Sequence, residues 1–337
     1  MLTLNRRVFL SGVTGLIGCG GSLKHFPFDL GDNPSTGLQI TYYSVGCYRI
    51  KLDEIAILTD PFWSHLPFLQ VAFGKSVTDP KQFTPYIDQL RSVEIVLVGH
   101  SHYDHVMDLE AAAPHLAPQA KIYGGKTLKH IYAATDIPRP IIPVNDKLAT
   151  LEKAGTWIYN ETKTVRFLPI YSNHPTQYLF FHLYKNTLHK DAKHPPKHVS
   201  DYQEGATIAY LIDYLDTQNE EIRCRIYVQT STTGYPAGFF PQSIIDERSV
   251  DVALLSMDCA NIKVDGKKQS IIDYINPKAV VFCHWEDFFR PKSLPPREIV
   301  KVNMAKLKKH LPSTDSTRYI FPNWDTHYYF DVETKNK

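Results

Sequence analysis

Short apolar runs alternate with stretches of helical periodicity along this chain. The apolar runs are rich in β-branched and aromatic side chains, which predicts strands. The predicted strands are residues 38–48, 49–52, 55–59, 94–98, 121–123, 147–151, 157–160, 164–171, 206–213, 223–230, 250–257 and 278–283. Helices are predicted at residues 108–113, 126–135, 270–275 and 298–310. This order predicts an α/β protein, and no linker-like composition interrupts residues 38–330, which indicates one domain.

Two long stretches fall between these elements. Residues 64–84 are rich in apolar side chains, and we expect them either to line a pocket or to cover one end of the sheets. Residues 177–203 contain four histidines and two prolines, and we favour a flap near the functional site. An ordinary surface insertion and a further metal site are the alternatives for this stretch.

Composition indicates a compact globular body. Of the 337 residues, 43% are hydrophobic and 21% are charged, which is ordinary for such proteins. The formal charge of +2 gives no electrostatic case for a nucleic-acid partner. The 20 tyrosines and 17 phenylalanines favour core packing first and an apolar pocket second. Cys47, Cys224, Cys259 and Cys283 are expected either to form disulfides or to stay as buried thiols.

The strongest chemical pattern follows the apolar run at residues 94–98. His100, His102, Asp104 and His105 place three imidazoles and one carboxylate within six residues. Imidazole and carboxylate are ligands for zinc, iron or manganese. We expect His100 and His102 to hold one cation while Asp104 and His105 face a second position. A polar turn that is rich in histidine is the alternative.

This H-x-H-x-D-H run resembles the signature of the metallo-β-lactamase fold, and other motifs resemble that family in order over residues 38–330. The resemblance implies a four-layer αββα sandwich. It also implies that Asp60, in L-T-D-P-F-W, orients a metal-bound imidazole through its free ring N–H. His174 would be the third metal histidine and His284, in V-V-F-C-H-W, the last. A turn-forming role for Asp60, and buried strand-end histidines bonded to carbonyls, are the alternatives.

Within that superfamily the pattern resembles the branch that contains ascorbate-6-phosphate lactonase and N-acylphosphatidylethanolamine phospholipase D. One departure concerns the family's bridging aspartate, because Thr232 stands at the matching position. A hydroxyl is a poor ligand and offsets no charge. Either Asp258, after the strand at 250–257, supplies a carboxylate to the second metal, or only the three-histidine site binds tightly. The other interpretation of Asp258 is a strand-end cap.

The resemblance implies a metal-dependent hydrolase with one or two zinc ions, and manganese or iron as alternatives. Metal-bound water or hydroxide would attack a phosphodiester, a lactone or another ester in a small or lipid-derived substrate. Asp104 would hold the second metal, or act as the base that orients the nucleophile. The alternative is a binding protein that kept the scaffold and lost turnover, an interpretation that Thr232 supports.

The N-terminus predicts export. The run N-R-R-V-F-L at residues 5–10 resembles a twin-arginine export signal, and L-I-G-C at residues 16–19 resembles a lipobox with lipidation at Cys19. The apolar stretch at residues 8–17 is shorter than the ~20 residues that span a membrane. We therefore expect a signal peptide at residues 1–19, a linker at 20–37, and a lipid-anchored protein of the periplasm or cell envelope. An ordinary apolar N-terminus is the alternative, and the sequence leaves the oligomeric state open.

Overall fold

The computed structural model of the protein describes most of the chain from Gly37 onward. The described ranges are residues 37–175, 184–232, 234–257, 263–264, 267–268, 270–299, 304–308, 311 and 317–332. The predicted signal peptide with Cys19 and nearly all of the predicted linker lie outside these ranges, as do Asp258 and Cys259. Those assignments stay predictions.

Two seven-stranded sheets form the body of the protein. In the first, the strand order is β16-β1-β2-β3-β4-β5-β6. In the second, it is β15-β14-β11-β10-β9-β8-β7. The strands are β1 Leu38–Ser44, β2 Cys47–Leu52, β3 Ile55–Thr59, β4 Val93–Leu97, β5 Lys121–Gly124, β6 Ile141–Pro143, β7 Ile158–Tyr159, β8 Val165–Ser172, β9 Thr207–Leu215, β10 Ile222–Gln229, β11 Val252–Ser256, β14 Ala279–Cys283, β15 Arg318–Ile320 and β16 Thr326–Phe330, with β12 Lys263–Val264 and β13 Lys267–Lys268 as a separate pair.

Each sheet is mixed, with an antiparallel part and a parallel part. In the first sheet β16, β1, β2 and β3 pair antiparallel, and β3 to β6 pair parallel. In the second sheet β7 to β10 pair antiparallel, and β10, β11, β14 and β15 pair parallel. Neighbouring parallel strands therefore end at the same edge of each sheet, where loops can carry functional side chains.

Helices cover the outer face of each sheet. The α-helices are Phe68–Phe73, Pro80–Phe83, Ile87–Leu90, Tyr103–Val106, Leu109–Ala112, Lys126–Ile131, Gln242–Glu247, Ile271–Ile275 and Met304–Lys308, and 3₁₀ turns occur at Thr84–Tyr86, Ala113–His115 and Val199–Asp201. Three apolar cores separate the layers: one lies between the sheets, and one lies between each sheet and its helices. The four-layer αββα sandwich expected from the sequence is confirmed.

The central strands bury both of their faces, and this explains their continuous apolar sequences. Ile57 and Leu97 point into the core between the sheets. Leu58 and Val96, their sequence neighbours, point to the helices on the outer face. Successive side chains on a strand alternate between faces, so both sets find a core. Truncation of any of these side chains to alanine is expected to cost about 2–5 kcal/mol of stability.

Four predicted elements are wrong in detail. Residues 38–48 form two strands, because Val45 and Gly46 make a tight turn that pairs Ser44 with Cys47. Residues 147–151 are not a strand, since only Ala149 bridges to β8.

Residues 64–84 hold a helix at Phe68–Phe73 and another at Pro80–Phe83. The predicted helix at 298–310 contains Met304–Lys308, whereas Glu298 instead forms a β-bridge with Glu286. In each case tertiary contacts decide the local structure over the sequence pattern.

Cys47, Cys224 and Cys283 are buried free thiols, so the second of the two expectations for these three cysteines holds. Burial raises the pKa of the Cys47 and Cys224 thiols well above the ordinary value, which keeps them protonated. Among the described helices, none is both long enough and apolar enough to cross a membrane.

Candidate metal centre

The loop after β4 carries four of the predicted ligands. His100 follows the end of β4, His102 lies on extended backbone, and the helix Tyr103–Val106 then begins and carries Asp104 and His105. His100 and His105 are fully buried, and His102 and Asp104 are nearly so. The change from strand to helix turns successive side chains in different directions. A single loop therefore supplies ligands to two neighbouring positions.

His100, His102 and His174 form the first group of side chains, which we call the three-histidine cluster. One ring nitrogen of each lies within 4.8 Å of the others. The ring centroids of each pair are 4.7 Å apart. His174 reaches this position because it follows the end of β8, in the second sheet. The structure thus brings together three histidines that the sequence places in two distant motifs.

Asp104, His105 and His284 form the second group, which we call the aspartate cluster. Asp104 Oδ2 lies 3.5 Å from His284 Nε2 and 3.9 Å from His105 Nε2. His284 follows the end of β14. The His100 and His105 rings are only 3.9 Å apart, so the two clusters adjoin.

The donor atoms of both clusters suit metal ions. Both ring nitrogens of His100 and the Nε2 atom of His105 are buried without a hydrogen-bond partner. Burial, together with the neighbouring histidines, lowers the pKa of His100 and of His174 well below the ordinary value. These rings are therefore neutral and offer a lone pair, which is the form that binds zinc. Unsatisfied buried nitrogens are costly, and a coordinated cation removes that cost.

Asp104 carries the negative charge of the site. Burial opposes its ionisation, but His105, His284 and His102 outweigh burial and hold the pKa of this carboxyl well below its usual range. The aspartate cluster therefore offers one anionic oxygen and two imidazoles.

Asp60 supports the aspartate cluster from below. Its carboxylate accepts hydrogen bonds from the Gly99 backbone N–H at 2.6 Å and from Thr230 Oγ1 at 2.6 Å. His105 Nδ1 lies 2.8 Å from Asp60 Oδ2. With its proton on Nδ1, His105 presents the Nε2 lone pair to the cluster. Asp60 therefore contacts the ring of one proposed ligand, and its role in orienting a metal-bound imidazole stays a prediction.

The backbone at two of these residues is in the left-handed region. Asp60 has a φ of 37° and His284 a φ of 58°. Such conformations cost about 1–3 kcal/mol for a residue other than glycine and persist where the surroundings impose them. Backbone hydrogen bonds hold both in place, from Asp60 N to Leu97 O and from His284 N to Val45 O. Each side chain is thereby directed inward at the end of its strand.

Close packing around Asp60 also explains why residue 99 is a glycine. A Cβ atom on Gly99 would lie 2.5 Å from Thr230 Oγ1 and 3.2 Å from Asp60 Oδ2. Only glycine lets the loop after β4 approach both groups. Any larger residue there would displace either Asp60 or the ligand loop.

Thr232 belongs to neither cluster. Its side chain is buried, and Oγ1 accepts a hydrogen bond from the Gly234 N–H at 3.1 Å. Asp258, the alternative source of a bridging carboxylate, lies outside the part of the chain that the structure describes. Within that part, Asp104 is the only carboxylate in the two groups of three ligands.

Two further residues, Thr230 and Glu286, support the aspartate cluster. Thr230, at the end of β10, donates to Asp60, and no motif marks it. Glu286 is fully buried and accepts hydrogen bonds from Tyr42 Oη at 2.5 Å and from the Val45 N–H at 2.6 Å. It therefore ties the segment after His284 to the turn between β1 and β2. By contrast, Asp287 pairs with Arg297 near the surface, at 2.8 Å.

The described part of the predicted flap, residues 184–203, packs along one side of the sandwich. The Ser76 N–H donates to Lys197 O at 2.7 Å, and the Tyr202 hydroxyl donates to Ser76 O at 3.1 Å. Among the described residues, His189, His194 and His198 belong to no group of three potential metal ligands. His182 lies outside the described part of the chain.

Comparison with known proteins supports the fold. Residues 56–216 match the β-lactamase superfamily domain. A metal-dependent hydrolase of Salinibacter ruber is 27% identical over 74 residues, which are 22% of this chain. The chain spans only 26% of the length of that relative.

Solved structures extend the similarity to the whole sandwich. A possible metal-dependent hydrolase from Veillonella parvula matches with a TM-score of 0.52 at 12% identity, covering 88% of this chain and 100% of the other. A metallo hydrolase from the archaeon Ignicoccus hospitalis matches at 0.50 and 15% identity, over 88% and 100% of the two chains. An isothiocyanate hydrolase from Delia radicum gut bacteria matches at 0.50 and 14%, over 87% and 99%. Together with the layer order, these findings show that the chain has the metallo-β-lactamase fold, and residues 56–216 match the β-lactamase superfamily domain.

Proposed function

We propose that this protein is a metal-dependent hydrolase that cleaves an ester-type bond at the cell envelope. A phosphodiester or a lactone in a small or lipid-derived molecule is the proposed substrate. The observation that carries this proposal is the pair of adjoining ligand clusters, with the buried and unpartnered nitrogens of His100 at their junction. Groups of this kind are costly in a protein that binds no cation.

Zinc is the proposed ion, in one or two copies, and manganese or iron suits the same donors. When bound, such an ion supplies Lewis acidity and lowers the pKa of a water ligand to about 7. The rings of His100, His102 and His174 would hold one ion. Asp104, His105 and His284 would hold the other.

The chain's own side chains set the conditions for the reaction. If only the three-histidine cluster holds an ion, the ionised Asp104 carboxylate can instead orient a nucleophilic water and accept its proton. Asp60 keeps the proton of His105 on Nδ1. The Phe288 ring packs 5.5 Å from the His284 ring, and Phe62 packs edge-on against Phe288 at 6.2 Å. These aromatic rings limit the access of bulk water from that side.

Thr232 favours a second candidate, a binding protein on the same scaffold without turnover. Without a bridging carboxylate, the described ligands bring one negative charge to two divalent ions. This arrangement weakens the case for a dinuclear centre, although it leaves the three-histidine cluster complete.

The metal content of the full chain tests the first proposal. Elemental analysis after zinc loading should give about two equivalents, and hydrolysis of bis(para-nitrophenyl) phosphate or of a long-chain lactone should require them. One equivalent that is insensitive to Asp258→Ala but rises to two in Thr232→Asp would indicate a mononuclear hydrolase. Stable metal binding without turnover of any ester would favour the binding protein. No metal at all would overturn both clusters as ligand sites.

A further inference from the structure

The helix Phe68–Phe73 presents an apolar face to solvent. Phe73 is 86% exposed, Leu69 68% and Phe68 49%, whereas Val71 is the buried residue of the helix. Single apolar side chains on a surface are ordinary, but three on one short helix form a patch. Such a patch is costly in water, because about half or more of each of these side chains is uncovered. A partner that removes them from water would recover that free energy.

Lysines border the apolar patch. Lys75 follows the helix and is exposed. Lys197 is exposed and lies at the same edge. The Ser76 N–H donates a hydrogen bond to Lys197 O, and His198 Nδ1 lies 2.8 Å from Gly74 O. The stretch at residues 184–201 contains four lysines and two aspartates. Asp191 pairs with His130, and the exposed Asp201 carboxylate accepts hydrogen bonds from the Lys197 and His198 backbone N–H groups, so the lysines remain in excess.

An apolar tip with a cationic border complements the surface of an anionic bilayer. Apolar side chains enter the boundary between head groups and acyl chains, while lysines meet the anionic head groups. A protein partner or a second copy of this chain would have to offer matching acidic groups around an apolar pocket. A bilayer offers both features at once.

A row of aromatic rings connects the patch with the aspartate cluster. Phe68 packs edge-on against Phe289 at 5.3 Å between ring centroids. Phe289 lies 4.7 Å from Phe288, and Phe288 lies 5.5 Å from His284. The rings form an unbroken row of contacts from the patch to the ligand cluster.

We propose that Phe68, Leu69, Phe73, Lys75 and Lys197 form a docking face for an anionic phospholipid bilayer. The row from Phe68 through Phe289 to Phe288 would then guide the apolar part of a lipid-derived substrate toward the metal centre. The guiding role rests on the proposed hydrolase function, whereas the docking face does not.

Vesicle binding tests the docking face. The full chain would carry Cys19→Ser, so that the expected lipid anchor cannot contribute. We expect it to cosediment with vesicles of phosphatidylcholine and phosphatidylglycerol, less with phosphatidylcholine alone, and less at high salt. Leu69→Ser with Phe73→Ser should weaken binding about tenfold or more, since both side chains lose their apolar burial. Lys75→Gln with Lys197→Gln should weaken it by roughly 25-fold, at about fivefold for each lysine.

Tyr159→Ser is the control for the loss of an exposed apolar side chain, because Tyr159 is 43% exposed and lies on β7 in the other sheet. Failure of the full chain to bind these vesicles, or binding that survives the Leu69 and Phe73 changes, would overturn the docking face. Self-association that disappears in that double variant would assign the face to a second copy instead.

The two proposals can fail separately. Metal content and hydrolysis of soluble bis(para-nitrophenyl) phosphate should be unchanged in the docking variants, because none of these residues is a ligand. Loss of vesicle binding with full turnover would isolate the docking face. If the chain bound vesicles but held no metal, the hydrolase proposal would be overturned and the docking face would be supported.

Discussion

The two ligand clusters lie side by side, yet they are supported in different ways. In the three-histidine cluster, burial together with neighbouring histidines lowers the pKa of His100 and of His174 and keeps both rings unprotonated. The aspartate cluster contains the anionic Asp104 and is braced by Asp60 and Glu286, which are buried carboxylates. The difference teaches that the first cluster depends on packing and desolvation. The second depends on hydrogen bonds that join the ends of five strands, β1, β3, β4, β10 and β14.

The largest expected effect concerns His100, because its ring lies against both clusters. His100→Ala should weaken metal binding at the three-histidine cluster by more than about a hundredfold, which exceeds the usual effect of a supporting residue. It should also weaken the aspartate cluster. His284→Ala should remove one equivalent and leave the other. Isothermal titration with zinc, checked by elemental analysis, separates these outcomes.

His194→Ala is the control for both variants, since His194 is exposed and belongs to neither cluster. Equal losses in His100→Ala and His284→Ala would contradict the idea that His100 joins the clusters.

A smaller effect is expected when the hydrogen bonds of Glu286, which support the aspartate cluster, are changed. All the donors around Glu286 point at a carboxylate, which only accepts hydrogen bonds. Glu286→Gln introduces N–H groups where acceptors are needed and loosens the segment that holds His284. We expect zinc affinity at the aspartate cluster to fall about tenfold to a hundredfold while the three-histidine cluster is unchanged.

Asp287→Asn is the matched control, because this neighbouring carboxylate pairs with Arg297 near the surface. If Glu286→Gln lowered the zinc affinity of both clusters equally, the change would loosen the whole protein, and Glu286 would have no specific role in holding the aspartate cluster.

The smallest expected effect is a pH dependence of the free energy of unfolding, which arises from His65 beside the β1–β2 hairpin. His65 Nδ1 donates to Arg290 O, and Nε2 accepts from Ser44 on β1. Burial, with a smaller contribution from Lys292, lowers the pKa of His65 to about 3. The unfolded chain takes up this proton near pH 6.5, so the free energy of unfolding falls as pH drops from about 6.5 toward 3, by up to ~1.4 kcal/mol per pH unit.

In His65→Gln this part of the slope should vanish, and urea unfolding at roughly pH 7, 6 and 5 would measure it. His189→Gln, a change at an exposed histidine, is the control. An unchanged slope in His65→Gln would show that His65 is protonated in the folded protein as well.

Much of the fold could be predicted from the sequence. The doubly buried strands gave continuous apolar runs, as at residues 55–59 and 278–283, and these runs are strands in the structure. The helix predicted at residues 270–275 is present as Ile271–Ile275, and Ser270 caps it by accepting a hydrogen bond from the Asp273 N–H. Less regular segments were harder. The helix Phe68–Phe73 has apolar side chains that face solvent, so its pattern does not match the rule of an apolar buried face.

By itself, the sequence determined the chemistry of the candidate site. Imidazoles and carboxylates at strand ends are local features, and the spacing of His100, His102, Asp104 and His105 follows from one loop. Only the tertiary structure decided how these groups divide into two clusters, because His174 and His284 arrive from the opposite sheet. It also decided the roles of Thr230 and Glu286, since hydrogen bonds between distant strand ends leave no periodic mark on the chain. Long-range contacts and left-handed backbone at Asp60 and His284 are properties of the packed sandwich, which local sequence does not encode.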